Sequence, residues 1–268
     1  MKDDFSGKGA PIDATGLQSA LDLLALDAAC LWSVIGVETS GHGFLADRRP
    51  VILFERHEFS ARTGHRFDAR NPDLSNPVAG GYGAGGAAQY DRLSRAIALD
   101  RKAALLSASW GLGQVMGYHA DGLGFAGVED MVAKMAGAEN WQLTAMARFI
   151  AANDLAAALR SRDWARFARG YNGPAYRKNN YDTRRASEYA RLDRGGLPDL
   201  AVRAAQTYLT YLGYDTRGID GLMGRFTRAA LNDFQSKAGM ELSAPIDERT
   251  LDALSAAPAP DRRPSTIP

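Results

Sequence analysis

The chain has 268 residues, of which 46% are hydrophobic and 24% charged, and it carries a net charge of +1. Those values describe a globular chain of one or two domains, and the near-neutral balance gives no bulk case for nucleic acid or an anionic membrane as partner. The single cysteine, Cys30, excludes an internal disulfide and a cysteine-based zinc site, and no stretch is long and apolar enough to span a bilayer.

The first residues lack an apolar signal core, so the chain is expected to be made and folded in a cytoplasm. Residues 1–12 read as a polar lead-in. Thr15 to Leu26 follows as a helix, with Leu17, Leu21 and Leu24 on one face. Asp27 caps a second helix that runs to Glu38, in which Ala28, Leu31, Trp32 and Ile35 recur at three- and four-residue steps. Gly41 and Gly43 stop it. Glu38 therefore stands at a helix C-terminus among apolar neighbours. The helix dipole and poor solvation both push a carboxyl pKa upward there. Such a group suits a general acid; an ordinary surface glutamate at a helix end is the alternative.

Val51 to Phe54 has the texture of a buried strand and ends in the polar cluster Glu55-Arg56-His57-Glu58. Alternation along a strand would point only one of Glu55 and Glu58 into a cleft. From His65 to Gly86 the chain is rich in Asn, Pro and Gly. That is a long loop, either functional or a plain insertion. Gln89 to Leu99 is helical, and Asp100 caps a helix through Leu106. The segment Ser109 to Gly117 is glycine-rich, with Trp110 and Gln114 embedded. Glu129–Met135, Glu139–Ala152, Asp154–Arg160 and Asp163–Arg169 read as helices, the last stopped by Gly170-Tyr171-Asn172-Gly173-Pro174. Tyr181 to Leu192 is an arginine-rich helix whose charges are expected to face solvent. Arg194 to Pro198 is a hinge that divides residues 1–194 from 199–257. The second unit has helices at Leu200–Leu212, Thr227–Ser236 and Thr250–Ser255, with Thr227 as a cap, and is near the lower size limit for independent stability. Residues 258–268 hold four prolines and are expected to be disordered.

Three stretches, in order, resemble the signatures of the goose-type lysozyme and soluble lytic transglycosylase superfamily. Glu38-Thr39-Ser40 resembles Glu-Ser, Gly111-Leu112-Gly113-Gln114 resembles Gly-Leu-Met-Gln, and Gly170-Tyr171-Asn172 resembles Ala-Tyr-Asn. A nearer resemblance is to the N-acetylmuramidase domain of phage endolysins. It is carried by Glu38 to Phe44, Ile52 to His57 and Ser109 to Gln114, and covers most of residues 15–193. The second unit resembles a three-helix peptidoglycan-binding domain through Leu212-Gly213-Tyr214, Asp220 to Ala230 and Phe234-Gln235. Thr39 replaces the usual serine, Gly113 stands where Met is common, and the interval from Glu38 to Gly111 is longer than in goose-type lysozymes.

The resemblance implies a mainly α protein: a lysozyme-like helical domain with a small β element, then a small three-helix peptidoglycan-binding domain. It implies an endolysin cleaving the β-1,4 bond between N-acetylmuramic acid and N-acetylglucosamine in bacterial peptidoglycan, for host lysis. Glu38 would be the general acid, and Gln114, Tyr171 and Asn172 would touch sugar or hold the acid. Trp110 offers a face for a sugar ring or is a core residue. Glu55, then Glu58, with His57 beside them, are the candidates for a water-activating base, with a structural ion pair as the alternative for Glu55. Two carboxyls roughly 6.5–9.5 Å apart would fit inverting hydrolysis. Such a base is optional in the superfamily. If Glu38 acts alone, the substrate's own acetamido group or its 6-hydroxyl attacks; the latter gives an anhydro product, and the enzyme is then a lytic transglycosylase.

No cofactor is called for, and His42, His57, His65 and His119 lack the spacing of a zinc hydrolase. The expected partner is peptidoglycan, without nucleic acid or membrane insertion, for a monomer that leaves the host cytoplasm through a holin and acts in the periplasm. A non-catalytic wall-binding phage structural protein is the competing class. It would need the C-terminal unit but not Glu38, Gln114 and Tyr171-Asn172 together.

Overall fold

The computed structural model of the protein describes residues 5–39, 41–242 and 246–258, so the tail beyond residue 258, expected to be disordered, lies outside the described residues. The chain divides into two compact units, Met1–Leu197 and Pro198–Pro268. In the first, α1 (Ala14–Leu24) and α2 (Ala28–Thr39) precede β1 (Ile52–Phe54), α3 (Arg56–Arg62), α4 (Ala88–Leu99) and α5 (Arg101–Leu106). Then come β2 (Ala108–Trp110), β3 (Val115–Met116), α6 (Val128–Gly137), α7 (Glu139–Ala152), α8 (Ala156–Arg160), α9 (Trp164–Asn172) and α10 (Tyr181–Gly195). Among the described residues no single helix is long and apolar enough to cross a membrane.

The middle of this unit is α2. Cys30, Leu31, Val34 and Ile35 are fully buried and Trp32 and Val37 nearly so. A helix apolar on all sides has to lie inside the fold. Asp27 starts it, its carboxylate accepting from the Cys30 amide at 2.8 Å. Helix α10 packs along α2, and α1 packs on α7. The described part of the lead-in contributes to the core. Phe5 and Ile12 are buried, and the Phe5 ring lies 5.5 Å from Tyr90 and 5.7 Å from Trp110.

The β element is an antiparallel sheet in the order β1-β2-β3, with Ile52 opposite Trp110 and Trp110 opposite Val115. The glycine-rich Ser109–Gly117 stretch is thus a hairpin, held by buried Trp110 and Val115. Asp100 caps α5 through the Ala103 amide at 2.9 Å.

Three expectations change. Arg56-His57-Glu58 begins helix α3, with Glu55 as its N-cap residue, so strand alternation does not apply to Glu55 and Glu58. Helix α9 runs through Gly170 to Asn172 and ends at Gly173, φ +82°. Gly170 serves packing: a Cβ there would lie 2.3 Å from Leu155 Cδ2. On α10 the arginines are not all solvated, because Arg185 is completely buried.

The second unit comprises α11 (Leu200–Tyr211), α12 (Arg225–Lys237) and α13 (Glu248–Ala256), around Leu209, Leu231, Phe234 and Leu254. Gln206 of α11 fixes the turn before α12. Its Oε1 accepts from the Gly221 amide at 2.8 Å, and its Nε2 donates to Asp220 at 2.8 Å and to Thr227 Oγ1 at 3.1 Å. Gly224, not Thr227, occupies the N-cap of α12. Thr227 is instead a buried acceptor inside the first turn. Gly221 has φ +73°, and a Cβ there would lie 2.6 Å from Pro198 Cβ. Gly221→Ala should therefore lower the unfolding free energy of this unit by about 2 kcal/mol, from left-handed strain and the clash. Urea denaturation followed by circular dichroism checks this, and an unchanged midpoint would contradict it.

Candidate active site

Glu38 comes inward because α2 is buried to its last turn. Its side chain is 5% exposed and that of Arg185, on α10, is 0% exposed; Arg185 Nη2 lies 2.5 Å from Glu38 Oε1. Asn172, the last residue of α9, donates from Nδ2 to both carboxylate oxygens, at 3.2 and 3.0 Å. The same Arg185 nitrogen donates to Asn172 Oδ1 at 3.4 Å, and the guanidinium sits 4.6 Å from the centre of the Phe167 ring. Burial pushes the Glu38 pKa up, the direction expected from its apolar helix, while Arg185 and Asn172 oppose the rise.

Tyr171 precedes Asn172 and ties this corner to the hairpin. Its hydroxyl donates to the Gly113 carbonyl at 2.7 Å, and its ring stacks on Phe167 at 5.2 Å. Burial raises the pKa of its phenol well above the ordinary value. Gly113 is glycine for a local reason: a Cβ would lie 2.6 Å from Met146 Cβ and 3.1 Å from the Tyr171 hydroxyl. Gln114 takes φ +47° and spends its amide within the protein. Its Oε1 accepts from Ser109 at 2.9 Å, and its Nε2 donates to the carbonyls of Gly111 at 2.8 Å and Val51 at 3.2 Å. It braces the hairpin turn. Trp110 is buried at 0% exposure, with its Nε1 donating to the Leu105 carbonyl at 3.1 Å. It offers no face to a sugar, which corrects that option.

Two buried residues of α7 hold the loops around Glu38, and the sequence reading missed both. Glu139 accepts from the amides of Ile12 at 3.1 Å and Gly43 at 2.8 Å. Gln142 accepts from the Leu112 amide at 2.8 Å and donates to the Met135 carbonyl at 3.0 Å. Gly43 and Gly111 let Gln142 pass, since a Cβ on them would lie 1.7 and 2.5 Å from its amide. The loop after Glu38 and the turn at Gly111 are thus fastened to one helix.

Glu55, His57 and Glu58 form a second cluster. His57 Nδ1 lies 3.1 Å from Glu55 Oε2, and Nε2 lies 3.6 Å from Glu58 Oε1. Glu58 also pairs with Arg62 at 3.0 Å. Burial raises the Glu55 pKa, against the charge of His57 and the nearby Tyr82 hydroxyl. Tyr82 reaches it from the glycine-rich loop, which is pinned by bonds from Gln89 to the Tyr82 and Ala84 carbonyls, each 2.7 Å. Among the described residues no hydrogen bond or ion pair joins the two clusters directly. Val51, which meets the hairpin turn, and Glu55 stand four residues apart along the β1 chain, about 13 Å of extended backbone. A row of rings bridges them: Tyr171 to Phe149 at 5.4 Å, Phe149 to His119 at 4.9 Å and His119 to Tyr118 at 4.4 Å. Arg62 then lies 4.4 Å over Tyr118. Aromatic faces of this kind suit the apolar faces of sugars.

Arg185 was missed because its helix reads as charged. A signal existed: Tyr181, Arg185 and Leu192 fall on one stripe at helical spacing. Among the described residues no group of three or more His, Cys, Asp and Glu side chains could hold a metal ion.

Residues 27–193 match a family model described as N-acetylmuramidase, and residues 199–254 match a model for a peptidoglycan binding domain. The chain is also similar to the crystal structure of a Burkholderia AP3 phage endolysin, with 43% sequence identity and a TM-score of 0.62, over 67% of this chain and 70% of that one. No curated protein matches it.

The sign of the Glu38 shift has a consequence for stability. A pKa raised by folding adds stability below the unfolded pKa, and that stability is lost as pH rises through the folded value. Glu38→Gln mimics the protonated group, so at pH 7 it should leave the unfolding free energy unchanged or raise it. Urea titration of both proteins measures this. A loss of about 3 kcal/mol, the scale for breaking a buried pair that stabilises a fold, would reverse the conclusion.

Proposed function

The chain belongs to the N-acetylmuramidase family, and from that membership we propose that it is a peptidoglycan-cleaving endolysin acting on the β-1,4 bond between N-acetylmuramic acid and N-acetylglucosamine. The observation that carries this reading is the convergence of three separated stretches on one carboxyl. Glu38 lies in the last turn of α2, Asn172 holds its oxygens, and Tyr171, next to Asn172, anchors the Gly111–Gln114 turn.

Protonated Glu38 gives its proton to the glycosidic oxygen as the bond from that oxygen to the anomeric carbon breaks. Water then adds to the anomeric carbon and releases a proton, which Glu55, or failing it Glu58, accepts. Glu38 recovers its own proton from solvent. Asn172 and Arg185 orient the carboxyl and stabilise the anion left after transfer. Tyr118, the exposed end of the row of rings, offers the glycan an aromatic surface. The C-terminal unit binds peptidoglycan and keeps the catalytic unit near its polymer, raising the effective concentration of cleavable bonds. The protein is made in the host cytoplasm and reaches the periplasmic wall after holin-dependent release.

One observation favours a second reading. Glu38 is held by Arg185 and Asn172, and the carboxylates of Glu55 and Glu58 belong to a different cluster. The substrate's 6-hydroxyl could then attack in place of water, leaving an anhydro end.

Glu38→Gln should reduce the lysis of outer-membrane-stripped cells by at least about 10³-fold, since the acid's proton is lost altogether, while the circular dichroism spectrum stays that of wild type. Retention of most activity rules out the assigned role. Mass spectrometry of the wild-type products separates the two readings, because reducing and anhydro ends differ by one water.

A further inference from the structure

Beside Glu38, between α2 and α10, lies a groove of about 560 Å³ that the glycan reaction does not use. It begins at Val37 and Asn180 and runs along the two helices past Gly36, Arg184 and Ser187 to Arg191. Its size is within the range of roughly 300–1,000 Å³ that holds small ligands. Gly36 helps to keep it open, since a Cβ there would lie 3.2 Å from Glu188 Oε1.

The charges along the groove do not cancel. Glu188 and Arg191 neutralise each other through two bonds of 2.9 and 2.7 Å. Among the described residues Arg184 has no carboxylate bonded to it in this way, and its charge is felt by Glu38. It is exposed, its guanidinium donates to the Val37 carbonyl at 3.4 Å, and it lies 5.8 Å from the Tyr181 ring. An exposed guanidinium in a groove that, beside the Glu188–Arg191 pair, offers hydroxyls and an amide from Thr183, Ser187 and Asn180 matches a carboxylate on a peptide-like chain.

We propose that this groove is a subsite for the acidic stem peptide of peptidoglycan, with Arg184 receiving one of its carboxylates. The inference rests on the glycosidase reading above and deepens it. The stem peptide leaves the glycan from the lactyl group of N-acetylmuramic acid, one of the two sugars joined by the bond that Glu38 would cleave. Arg184, bonded to the Val37 carbonyl, directly precedes Arg185, whose guanidinium holds Glu38, so the groove's mouth adjoins the acid's own support. A glycan placed for cleavage therefore carries its peptide to the groove's mouth, and the enzyme reads a cross-wall substituent as well as the sugar chain.

The test compares the full-length wild type with Arg184→Gln at one pH on three soluble glycans. One carries stem peptides with free carboxylates, one carries the same peptides with those carboxylates amidated, and one is stripped of peptide and keeps only the lactyl carboxylate. Wild type should show a kcat/KM about tenfold higher on the first than on either of the others, mostly through KM. Arg184→Gln should bring the three values together by loss on the first alone. The C-terminal unit is the same in both proteins, so its own binding drops out of the comparison. Equal values on all three glycans for wild type would overturn the proposal. So would a uniform loss in Arg184→Gln, which would mean that the arginine acts only through the charge of Glu38. An Arg184-dependent preference shared by the stripped glycan would assign the site to the lactyl carboxylate and overturn the peptide assignment. Cleavage of none of the three would refute the glycosidase reading and this inference with it.

Discussion

A carboxyl removed from water at the end of a buried helix is the constraint that organises the catalytic unit. Because α2 is apolar on all sides it lies inside, and its last turn takes Glu38 inside with it. An isolated carboxylate in such a place is costly. The fold answers with a fully buried arginine and an asparagine from two other helices. Burial and pairing then oppose each other, and burial wins: the proton is held more tightly than by an ordinary glutamate. That balance is poor for stability and useful for an acid that must carry its proton near neutral pH.

The remaining polar interior serves the same corner. Buried Glu139 and Gln142 project from α7 to the loop after Glu38 and to the turn of the β2–β3 hairpin. Each satisfies backbone amides that would otherwise be orphaned in the interior. Tyr171 closes the triangle from α9 by donating to Gly113. The three stretches that carry the family resemblance are thus joined by hydrogen bonds that run through α7 and α9. Glu55, His57 and Glu58 stand at the other end of β1, and a row of aromatic rings also runs from this corner toward them.

Much of this was legible from residue order. The periodicity of α2, the caps Asp27 and Asp100, the strand before Glu55 and the span of α7 all rest on local patterns, and local patterns decided them. The errors arose where a residue acts over long range. Arg185 looks solvated within its own helix, and only the carboxyl of Glu38, 147 residues away, explains its burial. Gly170 looks like a helix stop, yet it is there to admit Leu155. Gln114 looks like a sugar ligand, and its amide is consumed by Ser109, Gly111 and Val51. The hairpin at Ser109–Gly117 hid behind its glycines because its strands are two and three residues long. In each case chain neighbours carried too little information and spatial neighbours settled the matter.

The proton affinity of Glu38 tests this account most directly. Carbon-detected NMR of the side-chain carboxyls, with the Glu38 signal identified by its disappearance in Glu38→Gln, reports its titration in the intact protein. The account predicts a midpoint clearly above the value of about 4.3 for an unperturbed glutamate. A midpoint at or below that value would mean that Arg185 and Asn172 prevail over burial, and that this carboxyl is held as an anion rather than poised as an acid.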